Sequence, residues 1–231
     1  KQKVFAVINS DKQVLKKSAS GGAFSLLANE VIKNNGVVYG CTLDENMQIK
    51  HIGVTAVEEL DKLRGSKYVQ SDLGGVFKEI SRHLKEERMV LFTGTPCQVD
   101  GLNCYLSAKN QSTEKLLTAD LLCHGTPSPK LWADFVEYLE KTYGSKLKGF
   151  KFRTKIAGWE NSIETATFGE YNFDMLASGV SELPLVYKDT KGEYHPLLAT
   201  YATEDAATWT YTIQDGMTLN EIGRASCRER V

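Results

Sequence analysis

The stretch VLFTGTPCQVDGLNCYL, residues 90–106, starts as an apolar run, is interrupted by a Gly-Thr-Pro-Cys turn and continues with helical spacing. This pattern predicts a buried strand followed by a helix, with Cys97 at the turn between them. A cysteine in that position is a candidate nucleophile, redox thiol, metal ligand or ordinary packing residue. A helix N-terminus favours the thiolate form, which is the form that binds metals and attacks electrophiles.

Strands and helices alternate on both sides of this turn, from the start of the chain to about residue 155. Predicted strands cover residues 3–9, 37–43, 89–94, 116–122 and 149–154, with residues 48–54 as a further candidate. Predicted helices cover residues 21–35, 74–84, 98–106 and 130–143. The alternation predicts an α/β fold with an open, largely parallel sheet and helices on both faces. After about residue 160 the helical spacing is lost, and short extended pieces predict a β-rich fragment.

Cys97 and Cys123 each follow the carboxyl end of a predicted strand. Because ligands of open parallel sheets gather outside the carboxyl ends of the strands, we expect both cysteines at the same edge. His124 follows Cys123, so a Cys97–His124 nucleophile pair can be imagined, but no local protease signature supports it. Two thiolates that form half of a four-thiolate cluster site explain more, provided that another pair comes from elsewhere.

Two further segments rich in glycine and serine are candidate anion sites. SASGGAF, residues 18–24, precedes a predicted helix whose first N–H groups suit a phosphate, although a serine-capped glycine turn accounts for the same residues. LRGSKYVQSDLGG, residues 63–75, sets Lys67 and Tyr68 among small residues, as in a phosphate-binding loop or a solvated connector. His51 and His83 follow no pattern and are predicted to lie on the surface.

Composition narrows the class of function. The chain has 231 residues, of which 42% are hydrophobic and 25% charged, and its net charge is −1, as in ordinary globular proteins. Nothing indicates a basic nucleic-acid-binding face, a signal peptide or a run that approaches a membrane span of about 18 apolar residues. Five cysteines without a CxxC pair disfavour a secreted disulfide scaffold and a self-sufficient metal site. The chain does not start with Met and is expected to begin inside a longer protein.

Five segments in order, SASGGAFSLLA, GVVYGC, LRGSKYVQSD, VLFTGTPCQVDGL and LLTADLLCHGTPSPKLW, resemble the family of coenzyme F-420 hydrogenase/dehydrogenase beta subunits. The resemblance covers residues 3–159. It implies a flavoprotein oxidoreductase in which FAD passes electrons between iron–sulfur centres and a second carrier, with coenzyme F-420 as a possible substrate. It also implies a cytoplasmic location and, as partners, other redox subunits or a ferredoxin-like domain.

The same resemblance assigns site residues but no catalytic side chain. Cys97 and Cys123 correspond to two ligands of a 4Fe–4S cluster. The remaining ligands of the family lie in a downstream segment with CxxC, which this chain lacks, so the ligand set is incomplete. The residues that the resemblance places beside the flavin or its phosphates are Ser20, Gly21, Gly22, Lys67, Tyr68, Gly94 and Thr95.

After residue 160 the sequence departs from that family pattern. Residues 168–220 resemble the early part of solute-binding proteins of peptide-type ABC importers, which work outside the cytoplasmic membrane. The stretch that carries this resemblance runs from LVYKDTKGEY to QDGMTLN, residues 185–220. Residues 221–231, EIGRASCRERV, resemble a translated sequencing adapter. We therefore expect a truncated oxidoreductase domain at 1–160, a solute-binding fragment at 161–220 and an artefactual tail at 221–231. The alternative functions are extracytoplasmic peptide binding and an inactive chimeric open reading frame.

Overall fold

The computed structural model describes residues 5–154, 163–168, 171–176, 185–188, 194–201, 209–213 and 218–219, with side chains described for 5–153 and 165–168. The chain divides into two compact units. The first consists of residues 1–43, 49–67 and 71–123, and the second consists of residues 44–48, 68–70 and 124–231.

A four-stranded sheet forms the centre of the first unit. Its strands are β1 Val37–Leu43, β2 Ile49–Val54, β3 Val90–Gly94 and β4 Leu116–Asp120, and their order across the sheet is β2-β1-β3-β4. β1, β3 and β4 run parallel, whereas β2 returns antiparallel to β1, with Cys41 opposite His51. Gly94 pairs with Asp120, so β3 and β4 end side by side.

Helices cover both faces of this sheet. They are α1 Lys12–Lys17, α2 Ala23–Lys33, α3 Leu60–Leu63, which follows a 3-10 turn at Val57–Glu59, α4 Val76–Lys85 and α5 Pro96–Ser107. Successive strand residues point to opposite faces. Tyr39 and Phe92 share one buried cluster with residues of α4 and α5, and Val38 and Leu91 share another with residues of α2 and α3. The predicted largely parallel sheet with helices on both faces is therefore confirmed.

The described helix of the second unit is α6 Pro129–Tyr143, and strands follow it along the chain. Ser128 caps α6 by accepting from the Leu131 N–H at 3.2 Å, and Gly144, in the left-handed region with φ 62°, ends it. One antiparallel sheet joins β5 Leu147–Thr154, β6 Ile163–Phe168 and β7 Tyr171–Leu176. A second antiparallel sheet joins β8 Leu185–Lys188, β9 Tyr194–Tyr201, β10 Trp209–Ile213 and β11 Thr218–Leu219. The predicted β-rich character of this region is confirmed.

One predicted element is wrong. Residues 5–9, the described part of the strand predicted at 3–9, form no strand. The Asn9 N–H donates to the Gly21 carbonyl at 2.7 Å, and the side chains of Phe5 and Ile8 are 75% and 73% exposed. An apolar run can become a strand only if a neighbouring strand pairs with its backbone, and here the segment passes along a turn instead.

Candidate functional site

The carboxyl edge of the first unit's sheet brings two of the sequence motifs together. Cys97 occupies the second position of α5, directly after β3, and Cys123 follows β4 by three residues. Because β3 and β4 are adjacent and parallel, both cysteines lie at the edge where these strands end, as the strand pattern predicts. Both are free thiols, Cys97 exposed and Cys123 half-buried. The structure thus places two potential thiolate ligands on neighbouring strand-to-helix connections.

The turn that carries Cys97 is held by side chains. Pro96 opens α5, where its missing N–H costs no hydrogen bond. Gln98 reaches back so that its Oε1 accepts from the Thr95 N–H at 3.0 Å. The Thr95 hydroxyl lies 3.1 Å from the Cys97 Sγ. A Cβ at Gly94 would lie 2.9 Å from the Gln98 Oε1, so a glycine leaves the room that the amide of Gln98 occupies.

His51 belongs to the same edge, which the sequence analysis missed. The Gln98 Nε2 donates to the Ser71 Oγ at 2.9 Å, and that oxygen lies 2.9 Å from the His51 Nδ1. The His51 Nε2 lies 3.0 Å from the Thr93 carbonyl. His51 is only 6% exposed, so its predicted surface position is wrong. His51 pairs with Cys41 across the antiparallel strands β1 and β2. Knowing that register would have placed His51 at this edge, but the sequence alone does not give it.

The direction of each bond in this chain follows from chemistry. A carbonyl oxygen only accepts, so the His51 Nε2 carries its proton and donates to Thr93. The Nδ1 of neutral histidine is then the acceptor for the Ser71 hydroxyl. Burial lowers the pKa of His51 and the positive charge of Lys67 lowers it further, against the raising effect of the Thr93 bond. His51 is accordingly a neutral imidazole held in one tautomer.

Cys41 and Lys67 lie beside this series of hydrogen bonds. Burial raises the pKa of Cys41, while the charge of Lys67 and the nearby Ser71 hydroxyl oppose that rise. Burial lowers the pKa of Lys67 to about 8, and the interaction with Cys41 acts in the opposite sense. The Lys67 ammonium donates to the carbonyls of Lys62 and Arg64 at 3.2 and 2.9 Å. Among the described residues it pairs with no carboxylate, so this cation has positive charge to offer an anion.

Tyr68, the neighbour of Lys67 in sequence, belongs to the second unit. Its ring packs edge-on against Phe152 with 6.2 Å between ring centroids, and the residue is 42% exposed.

His83, also expected on the surface, is 8% exposed, and its Nδ1 lies 3.2 Å from the Glu86 carboxylate. That surface prediction is likewise wrong, because His83 lies on the inner part of α4.

The SASGGAF motif lies at the start of α2. Gly22 precedes the helix with φ 80°, in the left-handed region that favours glycine, and Ser20 is exposed. A Cβ at Gly21 would lie 2.3 Å from the Val7 carbonyl oxygen, so the chain's own backbone fills the space beside this glycine. Within α2, the buried Ser25 accepts from the Arg64 Nε at 3.0 Å. This bond joins α2, the helix that follows the motif, to the start of the LRGSK segment.

Comparison with known families identifies the family of the chain. The sequence model for the carboxyl-terminal part of the beta subunit of coenzyme F420 hydrogenase/dehydrogenase matches residues 87–228, more than half of the chain. The chain belongs to this coenzyme F420 hydrogenase/dehydrogenase beta subunit family. The predicted family is thereby confirmed. The matched range includes the Cys97 turn and Cys123, and it continues across the boundary predicted at residue 160, which stays a prediction.

A solved structure shares its fold with the present chain. The structure is a xenon derivative of the F420-reducing NiFe hydrogenase complex from Methanosarcina barkeri, and the matched chain has a TM-score of 0.52 and 21% identity. The match covers 73% of the present chain, which spans only 58% of that hydrogenase chain. No curated protein matches the chain.

The donor set at the edge supplies part of what an iron–sulfur cluster requires. In the part of the chain that the structure describes, no three His, Cys, Asp or Glu side chains group as metal ligands. Cys97 and Cys123 have the thiol chemistry by which proteins hold iron–sulfur clusters, and two thiolates are half of a four-thiolate set. None of the described helices is long and apolar enough to cross a membrane.

Proposed function

We propose that this chain is part of an oxidoreductase subunit that passes electrons between iron–sulfur centres and a flavin. The observation that carries the proposal is the pairing of Gly94 with Asp120, which ends two adjacent parallel strands just before Cys97 and Cys123. Family membership gives this edge its redox context. A 4Fe–4S cluster supplies one-electron transfer when bound, and FAD supplies the conversion between one-electron and hydride chemistry.

The chain's own residues have defined parts in this proposal. The Cys97 and Cys123 thiolates would each bind one iron of a 4Fe–4S cluster. Cys97 is presented by a helix start whose turn is braced by Gln98, and its exposed side chain is accessible to a metal centre. Cys104 is also exposed but lies about two turns further along α5, and it has no part in the site.

The flavin contacts are proposed on the polar segments of the first unit. Gly94 and Thr95 lie at the carboxyl edge, where open sheets bind nucleotides. Lys67 offers a cation whose described partners are two carbonyls, which suits a phosphate of FAD. Ser20, Gly21 and Gly22 precede α2 and would offer backbone N–H groups, although Val7 already fills the space beside the Gly21 α-carbon. Tyr68 is proposed as a further flavin neighbour.

The wider assignment also belongs to this proposal. Coenzyme F420 is the second carrier that the family description suggests, and other redox subunits or a ferredoxin-like domain would exchange electrons with the chain. The complex named for the similar solved structure is an F420-reducing hydrogenase, which supports multi-subunit partners. We place the protein in the cytoplasm on the same grounds.

The proximity of the two thiols can be tested before any cluster is built. Phenylarsine oxide binds two neighbouring thiols through one arsenic atom and releases water, so its capture reports a thiol pair directly. We expect a bidentate adduct that links Cys97 to Cys123, mapped by mass spectrometry of the digested full chain. Bidentate capture should be about 100-fold tighter than capture by one thiol, because the second bond forms within one molecule.

Three variants make this test specific. Cys97→Ser and Cys123→Ser should each abolish bidentate capture, whereas Cys104→Ser, which removes an exposed thiol from the same helix, should leave it unchanged. The same series would then be reconstituted with iron and sulfide together with a source of the missing ligands. Capture that depends on Cys104, or cluster absorbance that survives Cys97→Ser, would rule out the proposed ligand pair.

A further inference from the structure

Four hydrogen bonds connect the Cys97 turn to a buried histidine. They run from the Thr95 N–H to the Gln98 amide, from that amide to Ser71, from Ser71 to His51 and from His51 to the Thr93 carbonyl. This network thus starts at Thr95, between β3 and α5, and ends on the backbone of β3 at Thr93. Between these ends it passes through β2 and through the segment that follows Lys67, so three separate parts of the sequence brace one turn.

The bonds of this chain leave little freedom to the side chains. The Thr95 N–H fixes the Gln98 amide with its oxygen toward the backbone, which leaves the Nε2 to face Ser71. The carbonyl of Thr93 fixes the tautomer of His51, which in turn makes the Ser71 hydroxyl a donor to the Nδ1. Each bond therefore sets the orientation of the next group. Removing one link leaves a polar group without its partner in a largely buried place.

Packing adds to the rigidity of the histidine end. The ring of His51 stacks on Phe92 with 5.4 Å between centroids, and Phe92 is fully buried in the cluster beneath α4 and α5. The glycine at position 94 leaves the space that the Gln98 amide needs. The brace is therefore anchored in the core of the first unit rather than on its surface.

We propose that His51, Ser71 and Gln98 are positioning residues that hold the Thr95–Cys97 turn and so present the Cys97 thiol in one orientation. They act through Thr95, whose N–H they restrain and whose hydroxyl lies 3.1 Å from the thiol sulfur. The use of that orientation for a cluster rests on the function proposed above, but the brace itself does not. It gives a role to His51 in β2 and to Ser71 after Lys67, which are not among the proposed cluster ligands.

Hydrogen exchange at the Thr95 amide measures the brace directly. Ser71→Ala removes the acceptor of the Gln98 Nε2, so the Gln98 side chain loosens and the Thr95 N–H loses its bond. Losing one such bond should speed exchange at Thr95 about fivefold or more. Gln98→Ala, which removes the acceptor of the Thr95 N–H itself, should speed exchange at Thr95 at least as much. Ser71→Thr keeps the hydroxyl and should restore slow exchange.

The matched control is Ser107→Ala, a change at an exposed serine at the other end of α5. It should leave the Thr95 exchange rate as in the unmodified chain. The brace is refuted if Ser71→Ala leaves that rate unchanged, or if Ser107→Ala changes it equally. The same refutation follows if Ser71→Thr behaves as Ser71→Ala does.

The consequence for the thiol has its own readout. With phenylarsine oxide as the probe, Ser71→Ala should weaken bidentate capture at Cys97 about fivefold, while the alkylation rate of Cys104 stays unchanged. Faster Thr95 exchange with undiminished capture would refute the thiol-positioning role. If the unmodified chain captures no arsenical at Cys97 and Cys123, the ligand assignment fails instead, and the Thr95 exchange data alone decide whether the brace exists.

Discussion

Two turns of the first unit lead into helices through glycine, but different contacts make the glycine necessary. At residues 20–22, a Cβ on Gly21 would meet the backbone oxygen of Val7 at 2.3 Å. At residues 94–97, a Cβ on Gly94 would meet the end of the Gln98 side chain at 2.9 Å. The first obstacle is main chain and the second is a rotatable amide. The same sequence signature therefore reflects close packing of the backbone in one turn and a side-chain network in the other.

The difference also concerns what each turn can do. The space beside Gly21 is filled by residues 5–9, which the Asn9 N–H fastens to the Gly21 carbonyl at 2.7 Å. The Cys97 turn, by contrast, keeps its exposed thiol at the carboxyl edge while Gln98 braces it from behind. Glycine before a helix is thus an ambiguous sign of a phosphate site, and the neighbouring chain decides between the two interpretations.

The largest effect is expected for Gly21→Ala. The added methyl cannot coexist with the Val7 carbonyl, so either the turn or residues 5–9 must move. We expect the free energy of unfolding to fall by about 2–3 kcal/mol, the upper part of the range for overpacking. Urea unfolding gives this value, and faster hydrogen exchange at the Asn9 amide should show that residues 5–9 have detached.

Gly75→Ala is the matched control for this prediction. Gly75 also precedes a helix, but its φ is −92° and an added Cβ would meet nothing within 4 Å. It should cost little or nothing, since alanine reduces the freedom of the unfolded chain. Equal destabilisation by the two substitutions would contradict the packing explanation for Gly21.

The second prediction concerns pH and separates the turns, because only the Cys97 turn is connected to a buried histidine. Burial lowers the pKa of His51 from its ordinary value of 6.5, so the unfolded chain binds a proton more readily than the folded one. Stability should therefore be fully present above that value and fall as the pH decreases below it. The loss can reach about 1.4 kcal/mol per pH unit, the limit for one proton.

The pH test compares unfolding free energies between pH 7.5 and 5. His51→Gln, which cannot titrate, should flatten the pH dependence relative to the unmodified chain. His124→Gln, which removes an exposed histidine outside this hydrogen-bonded network, is the control for the loss of a histidine. Lys67 and Cys41, which interact with the groups around His51, ordinarily titrate at higher pH and contribute little change in this window. An unchanged pH dependence in His51→Gln would show that the histidine is not held neutral.

Local pattern was sufficient for much of the fold and for part of the site. Helical spacing and apolar runs follow from contacts between near neighbours, so the α/β alternation was predictable. The edge that holds Cys97 and Cys123 was predictable because parallel strands share a direction. The brace was not predictable, because His51 bonds to Ser71 twenty residues later and to Thr93 forty-two residues later. Such partners are chosen by the register of β1 and β2, which no local pattern encodes.

The same distinction explains the misplaced strand. Residues 5–9 have the composition of a strand, but they are not among the four strands β2-β1-β3-β4 of the first unit's sheet. Instead, the Val7 carbonyl approaches Gly21, a contact that could be inferred from the glycine only once the partner was known. Composition therefore predicted a strand where the structure has none.

The smallest effect is expected for Gly94→Ala, which tests the second of the two turns, where a side chain and not the backbone lies beside the glycine. Gly94 itself does not have a positive φ, so alanine fits its backbone. The added methyl would contact the Gln98 amide and, at 3.2 Å, the edge of the Phe92 ring. Gln98 can rotate away, at the cost of its bond to the Thr95 N–H. We expect a loss of about 1 kcal/mol, the value of one hydrogen bond, in urea unfolding.

A double-mutant cycle with Gln98→Ala identifies the group that yields to the new methyl. If the methyl acts by displacing the amide, Gly94→Ala should cost markedly less in the Gln98→Ala background, since the bond is already lost. Additive costs would mean that the Phe92 ring or the backbone takes up the strain. In that case Gly94 would resemble Gly21, with a rigid neighbour behind it, and the contrast between the two turns would disappear.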